Sequence, residues 1–114
     1  MTPSASDLKA KAITSMVAYM SESGNCGYAQ LHIDQCSTIL TEFHSAIQTA
    51  TARGELLNLA KNAVLSLNRV NNTCDGSLIE TDQREYICAF MIKAASETGL
   101  TSNANDFTEE WREW

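Results

Sequence analysis

The sequence contains few of the residues that interrupt helices. It has one proline, Pro3, and five glycines among 114 residues. Proline breaks helices from within, so its near absence leaves the rest of the chain free to form them. No stretch shows the alternation of apolar and polar residues between turn signals that marks a half-buried strand. These absences favour an all-α protein.

Long hydrophobic runs and basic clusters are also missing. No run approaches the roughly 20 apolar residues of a membrane helix, and the first residues lack the apolar stretch of a signal peptide. Eight Lys and Arg against 14 Asp and Glu give a net charge of −6, which disfavours binding to a phosphate backbone. We therefore expect a cytoplasmic protein that binds neither membrane nor nucleic acid. A protein partner is expected, and a basic one suits this charge.

The familiar motifs of catalysis are absent as well. The chain has no GxSxG, P-loop, dinucleotide-binding glycine pattern or HExxH motif. His32 and Cys36 have the spacing of one helical face, which suits a nucleophile and base or half of a metal site. No third, orienting residue accompanies them. We predict that the protein is not an enzyme and holds no cofactor.

Cysteines are present without a metal-binding pattern. Because no two of them form a CxxC pair, they do not indicate a structural zinc site. In the cytosol they should be reduced, whereas an exported chain would allow three pairings that the sequence cannot distinguish. The four are Cys26, Cys36, Cys74 and Cys88.

Apolar residues at helical spacing divide the chain into four main helices and a short fifth. We predict a single domain, residues 1–114, folded as a bundle. The helices are expected from Ser4 or Ser6 to Gly24, from a start at 29–34 to a point before Gly54, over about 55–70, from Thr81 or Asp82 to Gly99, and within 106–114.

Local signals set several of these boundaries. Ser4 with Asp7, and Asp82 with Glu85, have the spacing of reciprocal helix caps. Helices two and three are joined by a short connection and should be antiparallel neighbours. The buried faces are expected to include Leu8, Ala12, Ile13, Val17 and Met20 in the first helix, and Ile87, Phe90, Met91, Ala94 and Ala95 in the fourth.

The segment NNTCDGSLIETD, residues 71–82, resembles a degenerate calcium loop around Asp75-Gly76. Its ligands would include Asn71, Thr73, Asp75 and Asp82. Calcium prefers several carboxylates and a bidentate Glu at the last position, whereas only two of the ligand positions here are acidic. The better interpretation is a helix end, an Asp-Gly turn, an apolar re-entry at Leu78-Ile79 and a helix cap.

The ending DFTEEWREW, residues 106–114, combines aromatic and acidic residues. Phe107, Trp111 and Trp114 would share one face of a helix, and Trp is enriched at interaction hot spots. This face either fixes the last helix to the bundle or binds a partner. The candidate partner-binding residues are Trp111, Trp114, Glu109, Glu110 and Glu113.

The stretches CDGSLIETDQREYICAFMI and EEWREW resemble small all-helical bacterial families of unknown function, mainly over residues 71–114. The whole chain is also similar in gross character to immunity proteins and other protein inhibitors, which are small, acidic and helical. We therefore expect a non-enzymatic protein-interaction module of an inhibitor or immunity type. Calcium binding by the 71–82 loop and a Cys/His site are the alternatives.

Overall fold

The computed structural model of the protein describes residues 3–24, 26–101 and 106–114. Within these ranges the chain forms four α-helices and no strand, which confirms the all-α prediction. The helices are α1 (Ala5–Ser23), α2 (Gln30–Ile47), α3 (Arg53–Thr73) and α4 (Thr81–Glu97). None of the four is long and apolar enough to cross a membrane.

Both ends of α1 follow from local sequence. The Ser4 hydroxyl accepts a hydrogen bond from the Asp7 amide at 3.1 Å, and the Asp7 carboxylate accepts one from the Ser4 amide at 3.2 Å. This reciprocal capping box satisfies two backbone donors that the helix leaves unpaired. At the other end, Gly24 takes the left-handed conformation, with φ of 70°, which glycine adopts without steric cost. Both predicted boundaries are confirmed.

The start of α4 is correctly predicted, but its capping residues are not. The Glu80 amide donates to the side chain of Gln83 at 3.1 Å, so the cap lies one position before Thr81. Asp82 then falls inside the first turn. Its negative charge still stabilises the N-terminus of α4 through the helix dipole. The predicted Asp82–Glu85 cap pair is wrong.

The face that α1 buries is rotated relative to the prediction. Ala5, Ala12 and Met16 are buried, whereas Val17 is 36% exposed. Successive helix positions point about 100° apart, so burying Met16 turns Val17 outward. The prediction of Val17 as a core residue is therefore wrong. The predicted buried face of α4 is confirmed in full.

The helices form two main pairs. α1 packs mostly against α4, and α2 packs mostly against α3, with further contact between α1 and α2. The N-terminal half of α2 faces the C-terminal half of α3, since Leu31 and Val70 line one groove while Ala46 and Leu59 line its continuation. The predicted antiparallel arrangement of α2 and α3 is thus confirmed.

Helices α3 and α4 make little direct contact although they follow one another in the chain. Residues 106–114, called the C-terminal segment below, lie against both. The predicted fifth helix is not present in this segment, because residues 107–111 form turns and the last three have no regular structure.

Candidate functional site

The C-terminal segment is held to α3 by one asparagine. The Asn68 side-chain amide donates to the Trp111 carbonyl at 2.9 Å, and its oxygen accepts from the Glu113 amide at 3.2 Å. Asn68 is itself buried. Because a buried amide must satisfy its donors and acceptors, these two bonds fix the backbone of residues 111–113 against α3. They also occupy backbone groups that a continuing helix would need.

The tryptophans of this segment pack inward. Phe107, Trp111 and Trp114 are partly buried and contact the hydrophobic core. The Arg112 guanidinium lies 5.6 Å from the centroid of the Trp114 ring and also pairs with Asp106 at 3.2 Å. The guanidinium is attracted to the face of the indole ring, and Asp106 bonds the same guanidinium. The geometry matches the packing alternative of the sequence analysis.

On the α4 side the segment is fixed by a buried threonine. Thr108 is fully buried, its hydroxyl hydrogen-bonds the Asp106 carboxylate, and it lies 3.5 Å from the Cys88 sulfur. The segment therefore bridges α3 and α4, which otherwise hardly touch.

The three candidate carboxylates of the segment stay on the surface. Glu109, Glu110 and Glu113 are exposed, and Glu113 accepts a hydrogen bond from the Asn72 side chain at 3.1 Å. The acidic part of the predicted partner-binding surface is thus accessible, whereas its aromatic part is largely engaged within the molecule.

The 71–82 loop is organised around the Asn71 side chain. Its oxygen accepts hydrogen bonds from the amides of Leu78 at 3.1 Å and Ile79 at 2.9 Å, and both of those residues are buried. Asp75 and Gly76 form the turn, with φ of 54° and 78°. The loop therefore has the form expected of a turn with an apolar re-entry, and the oxygen proposed as its first calcium ligand is already bonded to the backbone.

The other proposed calcium ligands are also placed by local structure. The Thr73 hydroxyl donates to the Val70 carbonyl at 2.6 Å, and Asp82 lies in the first turn of α4. Over the described residues, no group of three or more His, Cys, Asp or Glu side chains is arranged to hold a metal ion.

His32 and Cys36 lie on α2 as expected, but their surroundings suit structural roles. The His32 Nδ1 atom accepts a hydrogen bond from the Ala29 amide at 3.0 Å, so it caps the start of α2. Cys36 is fully buried, and burial raises the pKa of its thiol to about 12. A nucleophilic cysteine needs a low pKa and exposure, and Cys36 has neither.

A groove between α2 and α3 was not anticipated from the sequence. It has a volume of about 510 Å³ and is lined largely by apolar surface, including Leu31, Ile39 and Val70. Leu31 is 62% exposed, the most exposed large apolar side chain in the described residues. A second depression of about 240 Å³ shares Ile39 and Ser66 with the first and continues along the same helices to Ala46.

The charged residues of the groove are few. Asp34 and Arg69 line its main part, and Glu42 lines the continuation. The Arg69 guanidinium donates to the Ser66 hydroxyl at 2.9 Å. The sequence analysis did not predict this surface, because the groove depends on how two helices pair.

Comparison of the chain with protein-family models, with curated proteins and with solved structures found no match.

Proposed function

We propose that the protein is a non-enzymatic protein-interaction module that binds an amphipathic helix of its partner in the α2–α3 groove. The observation that carries the proposal is the groove itself, an elongated, mainly apolar depression with Leu31 exposed at one end. Amphipathic helices are recognised by apolar grooves of this kind. An exposed leucine beside such a groove is the sort of residue that a partner would cover.

The dimensions of the groove suit a short helix. Its lining extends along α2 from Leu31 to Ala46, which at 1.5 Å per residue is about 22 Å. A partner helix of about 15 residues would fill it.

The charges of the groove favour a partner with basic residues. The groove is lined by two carboxylates, Asp34 and Glu42, and by one cation, Arg69. The protein as a whole has a net charge of −6. Lys or Arg side chains on the partner helix would complement the α2 rim, and the overall charge would steer a basic partner toward the protein. Inhibition or neutralisation of such a partner, as in immunity-type proteins, is the form of this function that we favour.

The groove is preferred to the C-terminal segment as the principal surface. Interface hot spots are large apolar or aromatic side chains that become buried on binding. Trp111 and Trp114 are partly buried already, which leaves mainly Glu109 and Glu110 available there. Rim carboxylates influence association rate more than affinity.

Affinity purification with a matched pair of variants tests the proposal. Leu31→Asp places a charge in the groove, and Val17→Asp places one at an exposed apolar position on α1. We expect the wild type and Val17→Asp to recover a stoichiometric partner at low salt. With Leu31→Asp, the amount of partner recovered should fall at least tenfold. A partner retained equally by both variants, or no stoichiometric partner at all, would contradict the proposal.

A further inference from the structure

The four cysteines occupy different environments, and only two of them lie in loops. Cys36 is fully buried within α2, and Cys88 lies within α4 beside Thr108. Cys26 belongs to the α1–α2 connection, and Cys74 is the residue at which α3 ends. The sequence allowed three pairings, and the fold singles out one pair of loop residues.

The two loops touch beside these cysteines. A Cβ atom on Gly27 would lie 2.6 Å from the Ser77 hydroxyl oxygen and 3.9 Å from the Cys74 carbonyl oxygen. The Ser77 hydroxyl in turn donates to that same carbonyl at 2.6 Å. The backbone next to Cys26 therefore packs directly on the turn that begins at Cys74.

The two thiols differ in exposure, since Cys74 is buried and Cys26 is partly buried. Burial raises the pKa of Cys74, and the nearby charges of Asp75 and Cys26 raise it further, against a hydrogen bond from Thr73 that lowers it. The Cys26 sulfur donates to the Tyr28 carbonyl at 3.1 Å. Cys74 belongs to the hydrophobic core, and Cys26 packs against that core.

Two glycines lie close to Cys26 in the sequence. A disulfide requires Cα atoms about 4.4–6.8 Å apart. Cys26 lies between Gly24 and Gly27, both with positive φ, and glycine tolerates more backbone conformations than any other residue.

We propose that Cys26 and Cys74 form an oxidation-sensitive pair, whose disulfide joins the α1–α2 loop to the α3–α4 loop. This inference is independent of the proposed binding function. It leaves Cys36 and Cys88 as free thiols in the oxidised protein.

The reaction is thiol–disulfide exchange with a small-molecule disulfide such as oxidised glutathione. The more exposed thiol, Cys26, loses its proton and attacks one glutathione sulfur, which breaks the glutathione disulfide and releases one glutathione thiolate. Cys74, deprotonated in turn, attacks the Cys26 sulfur and releases the second glutathione thiolate. The two protons from the cysteines go to the two thiolates, so two protein thiols are oxidised and one glutathione disulfide is reduced.

Mass spectrometry of the folded full chain tests the pairing. After incubation with oxidised glutathione, we expect the intact chain to be lighter by two hydrogens than the reduced chain. After alkylation of the remaining thiols and digestion, we expect a peptide pair linked through Cys26 and Cys74. The double variant Cys36→Ser/Cys88→Ser should form the same link, and Cys26→Ser should not. Circular dichroism of each variant establishes that it is folded.

Thermal unfolding supplies a second readout. Closing a loop of 48 residues (74 − 26) restricts the unfolded chain, so the oxidised protein should melt at least about 5 °C higher than the reduced one. A glutathione adduct on Cys26 that never resolves, a disulfide involving Cys36 or Cys88, or an oxidised protein that melts lower would each overturn the proposal.

Discussion

At the scale of single residues, three buried asparagine or threonine side chains hold the loops of this protein. Asn71 binds two amides of the α3–α4 loop, Asn68 binds two backbone groups of the C-terminal segment, and Thr108 lies between that segment and α4. The two asparagines replace hydrogen bonds that water would otherwise supply to the backbone, whereas the Thr108 hydroxyl bonds the Asp106 carboxylate beside the Cys88 sulfur. These polar side chains, more than the charged ones, hold the α3–α4 loop and the C-terminal segment in place.

Asn71→Ala is expected to destabilise the protein by about 2–4 kcal/mol, because it leaves two buried amides without an acceptor. Asn72→Ala is the matched control, since Asn72 is exposed and its side chain donates to the exposed Glu113 side chain. It should cost less than about 1 kcal/mol. Urea unfolding gives both values. Equal losses for the two variants would show that the Asn71 bonds do not hold the loop.

The reactivity of Cys36 has a defined pH dependence. Its pKa is raised to about 12 by burial, so the folded state favours the thiol over the thiolate. The contribution of this group to stability is fully present below about pH 9 and is lost as the pH rises toward 12. We expect Cys36 to resist iodoacetamide in the native protein at pH 8, while Cys26 is modified. Rapid modification of Cys36 there would revive the His32/Cys36 site.

At the scale of elements, signals confined to one or two helical turns predicted structure best. The Ser4–Asp7 box and the Gly24 stop need only their own neighbours. The prediction of a fifth helix was wrong because the structure of that segment depends on a residue far away in the sequence. Its aromatic spacing was helical, but Asn68, 43 residues away from Trp111, fixes the backbone in another form. A contact so distant in sequence leaves no local pattern.

The candidate sites show the same division. The turn at Asp75-Gly76 was recognisable from its residue types, whereas the role of Asn71 as acceptor for two later amides was not. The α2–α3 groove was missed because its two walls come from separate helices. Likewise, a shift of the buried α1 face from Val17 to Met16 reflects the packing of α4, which periodicity in α1 alone does not contain.

The C-terminal segment should act as part of the bundle. Trp111→Ala is expected to cost about 2–3 kcal/mol, somewhat less than the 3–5 kcal/mol typical of fully buried aromatics, because Trp111 is only partly buried. Glu110→Ala, an exposed neighbour, should change stability by less than about 0.5 kcal/mol. Denaturant unfolding measures both. If the stability of Trp111→Ala were unchanged, Trp111 would not stabilise the bundle and would again be a candidate partner-binding residue.

Calcium provides a separate test of the 71–82 loop. Asn71 is bonded to backbone amides and Thr73 to a carbonyl, so we expect millimolar calcium to leave the melting temperature unchanged. A specific site at a hundred times its Kd would add about 2.7 kcal/mol. A clear upward shift that disappears in Asp75→Asn would establish a calcium site, and magnesium at equal concentration controls for ionic strength.

At the scale of the whole molecule, the charge of −6 is spread over surfaces with different roles. Asp34 and Glu42 line the groove, whereas Glu109 and Glu110 lie on the C-terminal segment. All four would contribute to the long-range field that steers the proposed basic partner, but only the first two would lie close to a helix bound between α2 and α3.

Charge reversal separates these two surfaces once a partner is identified. Asp34→Lys/Glu42→Lys is expected to raise the Kd at least tenfold, largely through faster dissociation. Glu109→Lys/Glu110→Lys should slow association a few-fold at low salt and have little effect at high salt, since exposed charges act over about 10 Å at 0.1 M salt. Surface plasmon resonance at two salt concentrations distinguishes them. A larger affinity loss from the C-terminal pair would move the binding surface there.

The approach of Gly27 to Ser77 limits how the sequence can vary. Any side chain at position 27 would need a positive φ of 90° and would meet the Ser77 hydroxyl and its Cβ. Among functional variants, position 27 should therefore accept almost nothing but glycine. Position 77 should stay small as well. The two positions are 50 apart in the sequence (77 − 27). Because they are in contact, the residues tolerated at one position depend on the residue at the other.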